Sequence, residues 1–277
     1  MLNADLHCHS TVSDGTLPPE EVARHAADGG VELWSLTDHD EIGGQARARA
    51  AAKALGMRYI DGVEISVTWA ERTVHIVGLA IDPANADLID GLARTRAGRQ
   101  RRAEQMADGL AAVGIPGAYE GALRYVGNPD LISRTHFARY LVEIGKGDSV
   151  RDVFGHYLVE GRPGYVPHRW ATLEDAVTWI RGAGGVAVIA HPGRYRYSAL
   201  EFQALFDEFK ALGGEGIEVV TGSHSPEQYR YYADVARRLD LLASRGSDFH
   251  GLTDGRASIG RLPALPEGLV PVWQRWV

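Results

Sequence analysis

The chain is expected to fold as an α/β protein around a mostly parallel sheet, either open or closed into a barrel. Strand-like and helix-like segments alternate at both ends of the sequence, the pattern of successive βα units. Clusters of histidine and acidic residues fall at, or just past, the C-terminal ends of the expected strands, the face that carries the chemistry in α/β barrels. The 277 residues, 45% hydrophobic and 23% charged, suffice to bury one large core, with or without an inserted unit.

Residues 4–8 read as a strand and 18–28 as a helix, whose Pro-Pro-Glu-Glu start suits a first turn and which Gly29-Gly30 stops. A buried strand at 31–37 is followed by an Ala-rich helix at 45–55 and strands at 58–67 and 74–81. The rhythm resumes with a helix at 173–181, a strand at 185–190, a helix at 200–212, a strand at 216–220, a helix at 226–239 and a strand at 241–247. Between them, 98–165 reads as short helices at 99–112, 119–126, 134–143 and 150–158. The expected organisation is a barrel built from 1–97 and 166–277, with 98–165 inserted as a helical substrate lid. The insertion holds 9 basic and 8 acidic residues against 20 and 28 elsewhere. A nearly neutral lid beside an acidic barrel would contribute cations to a site between them.

A net charge of −7 argues against nonspecific binding of duplex nucleic acid. It does not exclude an anionic substrate, because bound metals reverse the local field. Cys8 is the one cysteine, so no intramolecular disulfide is expected and a reducing compartment fits. The chain enters its first motif without a signal-like segment, and no apolar run approaches the ~18 residues of a membrane span. A cytoplasmic protein without membrane contacts is expected.

His7 and His9 lie two apart on a strand and share a face, with Cys8 on the other, among packed helices. Asp248 and His250 repeat that spacing on the last strand, with Phe249 toward the core. A lone strand histidine is a metal ligand in roughly one case in ten. Two such pairs on first and last strands become neighbours if a barrel closes, which makes coincidence a poor explanation. Glu64 is expected to end an apolar strand, where an unpaired carboxylate is costly to bury. It pairs with His75 as a buried ion pair, or it bridges two metals with His75 and His191 on the second. His191 stands at a strand mouth before Pro192. Within Asp38-His39-Asp40, His39 is the expected ligand and Asp38 the expected partner orienting an imidazole. Asp14 is either an ordinary turn residue or a ligand for a further ion. Imidazole and carboxylate are ligands for divalent metals and point to metal-assisted hydrolysis.

The stretches Asp5-Leu6-His7-Cys8-His9-Ser10, Ser13-Asp14-Gly15, Leu36-Thr37-Asp38-His39-Asp40, Gly62-Val63-Glu64-Ile65-Ser66, Val74-His75-Ile76, Ala190-His191-Pro192-Gly193 and Gly246-Ser247-Asp248-Phe249-His250-Gly251 resemble the polymerase-and-histidinol-phosphatase (PHP) family. The likeness is to its bacterial branch of 3′,5′-nucleotide bisphosphate phosphatases and ribonuclease AM. It implies a distorted (β/α)7 barrel with three divalent ions. His7, His9, Glu64 and Asp248 would hold the first, Glu64, His75 and His191 the second, and Asp14, His39 and His250 the third. A ligand set without thiolate favours Mn2+, with Fe2+, Zn2+ or Mg2+ as alternatives. The expected nucleophile is a metal-bridging hydroxide, and no side chain is assigned a catalytic role.

The resemblance also places Arg134 and His136 on the substrate side. Spacing alone reads that segment as a helix start capped by Ser133 with an exposed arginine, and Thr135 stands where the resemblance leads one to expect proline. Arg194 and His224 are further candidates for phosphate or base contacts, and Trp69 is the tryptophan to watch as a substrate wall. The implied activity is loss of the 3′-phosphate from 3′,5′-bisphosphonucleosides, with 5′-to-3′ trimming of short oligoribonucleotides at the same site. The partners would be a nucleotide or short RNA, not duplex DNA. The rivals are a histidinol-phosphate phosphatase and a non-catalytic PHP module.

Overall fold

A computed structural model describes residues 2–252 and 258–277. The strands are β1 Ala4–Asp5, β2 Leu33–Trp34, β3 Arg58–Tyr59, β4 Gly62–Trp69, β5 Arg72–Leu79, β6 Val186–Ile189, β7 Gly216–Thr221 and β8 Leu242–Gly246. The helices are α1 Pro19–Asp28, α2 Gln45–Ala54, α3 Ala86–Arg96, α4 Arg99–Ala111, α5 Ala118–Leu123, α6 Arg134–Glu143, α7 Val150–Val153, α8 Leu173–Gly182, α9 Ala199–Ala211 and α10 Pro226–Leu239. The fold is mixed α/β.

β1, β2 and β3 form one parallel sheet, and β4 to β8 a second in sequence order. β6, β7 and β8 are parallel, but β5 runs antiparallel to both β4 and β6. The expected mostly parallel sheet is therefore corrected at β5. Ala70 and Glu71, both at positive φ (45° and 59°), make a two-residue reversal that leaves no length for a crossover helix. The strand expected at 58–67 also breaks, at Ile60-Asp61, into β3 and β4. Glu64 consequently lies near the start of β4 rather than at a strand end.

Hydrogen bonds join the two sheets at both edges. Leu6 N donates to Arg245 O (3.0 Å), Asp248 N to His7 O (2.8 Å) and His9 N to Phe249 O (2.8 Å). On the other side Glu64 N donates to Asp38 O (3.2 Å) and Asp40 N to Glu64 O (2.8 Å). Residues from the two ends of the chain are thus brought beside Glu64. Gly246 makes one of these approaches feasible, since a Cβ there would meet His7 Cβ at 2.3 Å.

The helices begin where local chemistry lets them. Thr172–Asp175, Ser198–Glu201 and Ser225–Gln228 are reciprocal capping pairs for α8, α9 and α10. α3, absent from the expectations, is capped by Asn85, whose Oδ1 accepts from Leu88 N. Its internal Gly91 weakens the helical pattern, and is required because a Cβ there would sit 2.4 Å from the Trp179 ring. The large core runs from Leu6 and Ile65 through Ile76 and Ile217 to Ile180, Phe206 and Phe209. Cys8 and Phe249 pack with Trp34 against α1 and α2. Met106, Leu110, Phe137, Leu141 and Leu158 form a separate cluster among α4 to α7. Among the described residues no helix is long and apolar enough to cross a membrane.

Candidate metal centre

Glu64 is fully buried and its two carboxylate oxygens face different imidazoles. Oε2 lies 3.2 Å from His7 Nε2, 3.2 Å from His9 Nε2 and 3.0 Å from His39 Nδ1. Oε1 lies 2.9 Å from both His75 Nδ1 and His191 Nε2. β4 and β5 present Glu64 and His75 on one face as diagonal neighbours. Asp248 Oδ1 stands 3.4 Å from His9 Nε2 and 3.7 Å from His7 Nε2. Asp14 Oδ1 is 3.3 Å from His250 Nε2 and 3.9 Å from both His9 Nδ1 and His39 Nε2. All nine expected ligands come together in overlapping groups, among them His7–His9–Glu64, His39–Glu64–His75 and His9–Asp14–His39–His250, whose ligand atoms lie within 4.8 Å of one another.

These side chains fit cations. Bonds of about 2.0–2.2 Å to one ion set neighbouring ligand atoms about 3–3.5 Å apart, the spacing seen here. Glu64 Oε2, His9 Nδ1 and Asp14 Oδ1 are buried and make no hydrogen bond, a cost of about 1–3 kcal/mol each if nothing else engages them. His191 (φ 25°), Asp248 (φ 53°) and Asp40 (φ 51°) all hold left-handed backbone without being glycine, strain that recurs where side chains must be aimed.

The charges are coupled. Burial pushes the Glu64 carboxyl up, but His39, His7 and His75 outweigh it and hold it well below its ordinary range. Asp14 is likewise held well below, His250 and His39 overcoming burial. Burial opposes protonation of His7, yet Glu218 and Glu64 raise its pKa well above the usual value. His191 goes the other way, lowered by burial and by Arg194.

Glu218 was not singled out from the sequence. It lies on β7, where Oε1 takes His7 Nδ1 at 2.9 Å and Oε2 accepts from His191 N at 2.6 Å. It therefore directs His7 Nε2 into the cluster. The signal was available: a lone acid in an apolar strand, as with Glu64. Asp38, expected to orient an imidazole, instead accepts from Ser10 N (2.7 Å), Ser10 Oγ (2.7 Å) and Ser13 Oγ (2.6 Å). It orders the loop that carries Asp14, because that loop folds directly over its carboxylate. Gly15 lets this loop close, since a Cβ there would meet His9 O at 2.5 Å.

Thr68, Arg102, Arg134, Tyr165, His168 and Trp170 line part of a cavity of about 360 Å³, whose wall also carries Glu71 and Glu160. Among the described residues Arg134 Nη1 donates to the Leu158 carbonyl (3.4 Å) and Arg102 Nε to the Val166 carbonyl (3.0 Å). Burial, Arg134 and Arg99 lower the Arg102 pKa to about 9. Among the described residues neither the Arg102 nor the Arg134 guanidinium is paired with a carboxylate, and such crowded cations suit an anion. Arg194 reaches the cluster directly, donating from Nη1 to Asp248 Oδ2 at 2.9 Å. His136 is not among the residues that line the cavity: it is fully buried and its Nδ1 accepts from Ser133 N at 2.9 Å, capping its own helix, while its Nε2 is buried without a hydrogen-bond partner among the described residues. His224 is corrected too. Its Nε2 accepts from Gly193 N (2.9 Å) and its Nδ1 donates to Val219 O (3.1 Å), so both nitrogens hold backbone and neither remains for phosphate or base. Trp69 bonds Glu208 through Nε1 (2.8 Å); Trp170 is the tryptophan of the cavity wall.

Residues 5–126 match the PHP domain family model. The chain is 52% identical over 274 residues to a 3′,5′-nucleoside bisphosphate phosphatase of Chromobacterium violaceum, covering 99% of this chain and 96% of that protein. It is 43% identical over 274 residues to the 5′-3′ exoribonuclease Rnm of Salmonella typhimurium, covering 98% and 93%. A solved Chromobacterium violaceum structure, described as an amidohydrolase with bound sulfate and no metal, superposes with a TM-score of 0.96 at 51% identity, over 99% of this chain and 95% of that one.

Proposed function

The chain belongs to the PHP domain family, and on that premise we propose that it is a metal-dependent phosphoesterase removing the 3′-phosphate of 3′,5′-bisphosphonucleosides to leave 5′-mononucleotides. Trimming of short 5′-phosphorylated oligoribonucleotides from the 5′ end would use the same site, since both reactions cleave a 3′ P–O ester beside a recognised 5′-phosphate. The observation that carries this reading is Glu64, buried with one oxygen toward His7 and His9 and the other toward His75 and His191.

Three cations are proposed, held by His7, His9, Glu64 and Asp248, by Glu64, His75 and His191, and by Asp14, His39 and His250. With no thiolate in the set, Mn2+ is favoured over Fe2+, Zn2+ or Mg2+. Bound divalent ions supply Lewis acidity and a nucleophile at neutral pH. The chain's own residues do the rest. Glu218 fixes the His7 tautomer, Arg194 neutralises the outer oxygen of Asp248, and Arg102 and Arg134 bind the 5′-phosphate. The aromatic wall of Tyr165 and Trp170 takes the nucleoside. The hydrogen-bonded sheet edges support a distorted (β/α)7 barrel in which β3 and β4 count as one bent strand and β5 is reversed. Residues 98–165 are the inserted lid. A cytoplasmic location is proposed on the single, buried, free thiol of Cys8.

Incubating Mn2+-loaded protein with adenosine 3′,5′-bisphosphate, short RNAs and histidinol phosphate tests this. Free phosphate with 5′-AMP is the expected product pair. Hydrolysis of histidinol phosphate alone would favour that rival, and no hydrolysis at full metal occupancy would leave a non-catalytic module.

A further inference from the structure

The group formed by His9, Asp14, His39 and His250 is supported differently from the other candidate ligands. His7 and His191 rest on Glu218, and the His75 N–H on Tyr195 Oη (2.8 Å), all barrel residues. Asp14 turns Oδ1 toward His250 but gives Oδ2 to the insertion, accepting from Thr135 Oγ1 at 3.0 Å and Ser133 Oγ at 3.5 Å. His39 is followed by Asp40, whose carboxylate takes Ser66 N (2.7 Å), Ser66 Oγ (2.9 Å) and the Arg99 guanidinium. Arg99 in turn lies 4.6 Å over the Trp170 ring. So α4 carries both Arg99 and the cavity's Arg102, and α6 carries Arg134 and Thr135 as consecutive residues.

We propose that Thr135 is a positioning residue for the cation held by Asp14, His39 and His250, and that through Thr135 and Arg99 cation occupancy there is linked to anion binding in the Arg102–Arg134 cavity. An anion seated on Arg134 fixes the first turn of α6 and with it the hydroxyl that orients Asp14. A cation that fixes Asp14 steadies the same turn, and the coupling is reciprocal by thermodynamic necessity. Ligand-orienting hydrogen bonds of this kind are typically worth 10–100-fold in metal affinity. The inference rests on the proposed function for the identity of the cations and of the anion.

Calorimetric titration of Mn2+ into metal-free full-length protein, with and without saturating 5′-AMP, reads the linkage apart from turnover. Thr135→Val should weaken one class of Mn2+ site about 10-fold and leave the others unchanged, and Thr135→Ser, which keeps the hydroxyl, should restore it. In the wild type 5′-AMP should tighten that same class about 5-fold or more, and Thr135→Val should reduce the gain to what Arg99 alone transmits. Equal weakening of every class, or none, overturns the positioning role. Measurable 5′-AMP binding that leaves every Mn2+ class unchanged overturns the linkage. Failure of the wild type to bind Mn2+ or 5′-AMP at all overturns the functional reading beneath it, a result distinct from the others.

Discussion

Glu218 separates holding an imidazole from supplying one. It touches two candidate ligands, a ring nitrogen of His7 and the main chain of His191, and its replacement leaves all nine ligand side chains in place. Glu218→Gln keeps an acceptor oxygen for only one of these groups, its NH2 replacing the other, and loses the charge that favours His7 Nδ1–H. We expect a drop in Mn2+ affinity of about 10-fold with little change in melting temperature, checked by metal content after dialysis against graded Mn2+. Full metal retention would show that the imidazole is oriented by its strand alone. His224 makes a second case. Burial lowers its pKa to about 4, below an unfolded value of about 6.5. Its stabilisation is therefore complete above about pH 6.5 and lost as pH falls toward 4, by at most about 3 kcal/mol. His224→Gln should lose melting temperature less steeply over that window than the wild type. The clustering of the candidate ligands was legible in the sequence because imidazoles and acids interrupt apolar strands there. Of the residues that hold them, Glu218 leaves the same signal as Glu64, an acid in an apolar strand, but Arg99 and Thr135 find their partners across the fold, and nothing in spacing announces that Asp38 serves a loop while Asp40 serves an arginine.

At the scale of elements, α6 is the clearest case of a helix legible in extent but not in use. Its range was expected from capping and periodicity, and Ser133 does start it, yet the cap on the Ser133 N–H is His136, the residue assigned to substrate. Arg134 is the first residue of the helix, with the Leu158 carbonyl as its hydrogen-bond partner among the described residues and the Phe154 ring beneath its guanidinium. Arg134→Ala should leave folding nearly unchanged while raising KM for adenosine 3′,5′-bisphosphate about 10–100-fold, the loss of a charged hydrogen bond worth about 1.5–3 kcal/mol. Steady-state kinetics beside a melting curve would check both parts, and an unchanged KM would move the 5′-phosphate elsewhere. The β4–β5 hairpin was not legible. Ala70-Glu71 lacks the asparagine and glycine that usually mark such a turn, so its two strands looked like members of a parallel series.

At the scale of the whole molecule, the site exists only because the sheets meet at both edges. The bonds from Leu6 to Arg245 and from Asp40 to Glu64 bring together residues from opposite ends of the chain, and no local pattern specifies such closure. The acids and imidazoles are local features of the chain; the topology that gathers them is not. The closed arrangement collects Asp14, Glu64, Glu218 and Asp248, all buried, in a protein whose net charge is already −7. Without cations, those carboxylates depend on imidazoles that must stay protonated, and His9 does so with a pKa raised to about 9, Asp248 and Glu64 overcoming the opposing effect of burial. Cations replace that arrangement, and each one bound at 100 times its Kd adds about 2.7 kcal/mol. For a chain of this size a kilocalorie moves the melting temperature by about 2–4 °C, so removing even one ion should lower it by about 5 °C or more. Thermal unfolding followed by circular dichroism, in chelator and then after Mn2+ is restored, measures this. A melting temperature unmoved by complete metal loss would mean that the imidazole–carboxylate pairs hold the joined sheet edges by themselves, and that the cations serve the reaction without serving the fold.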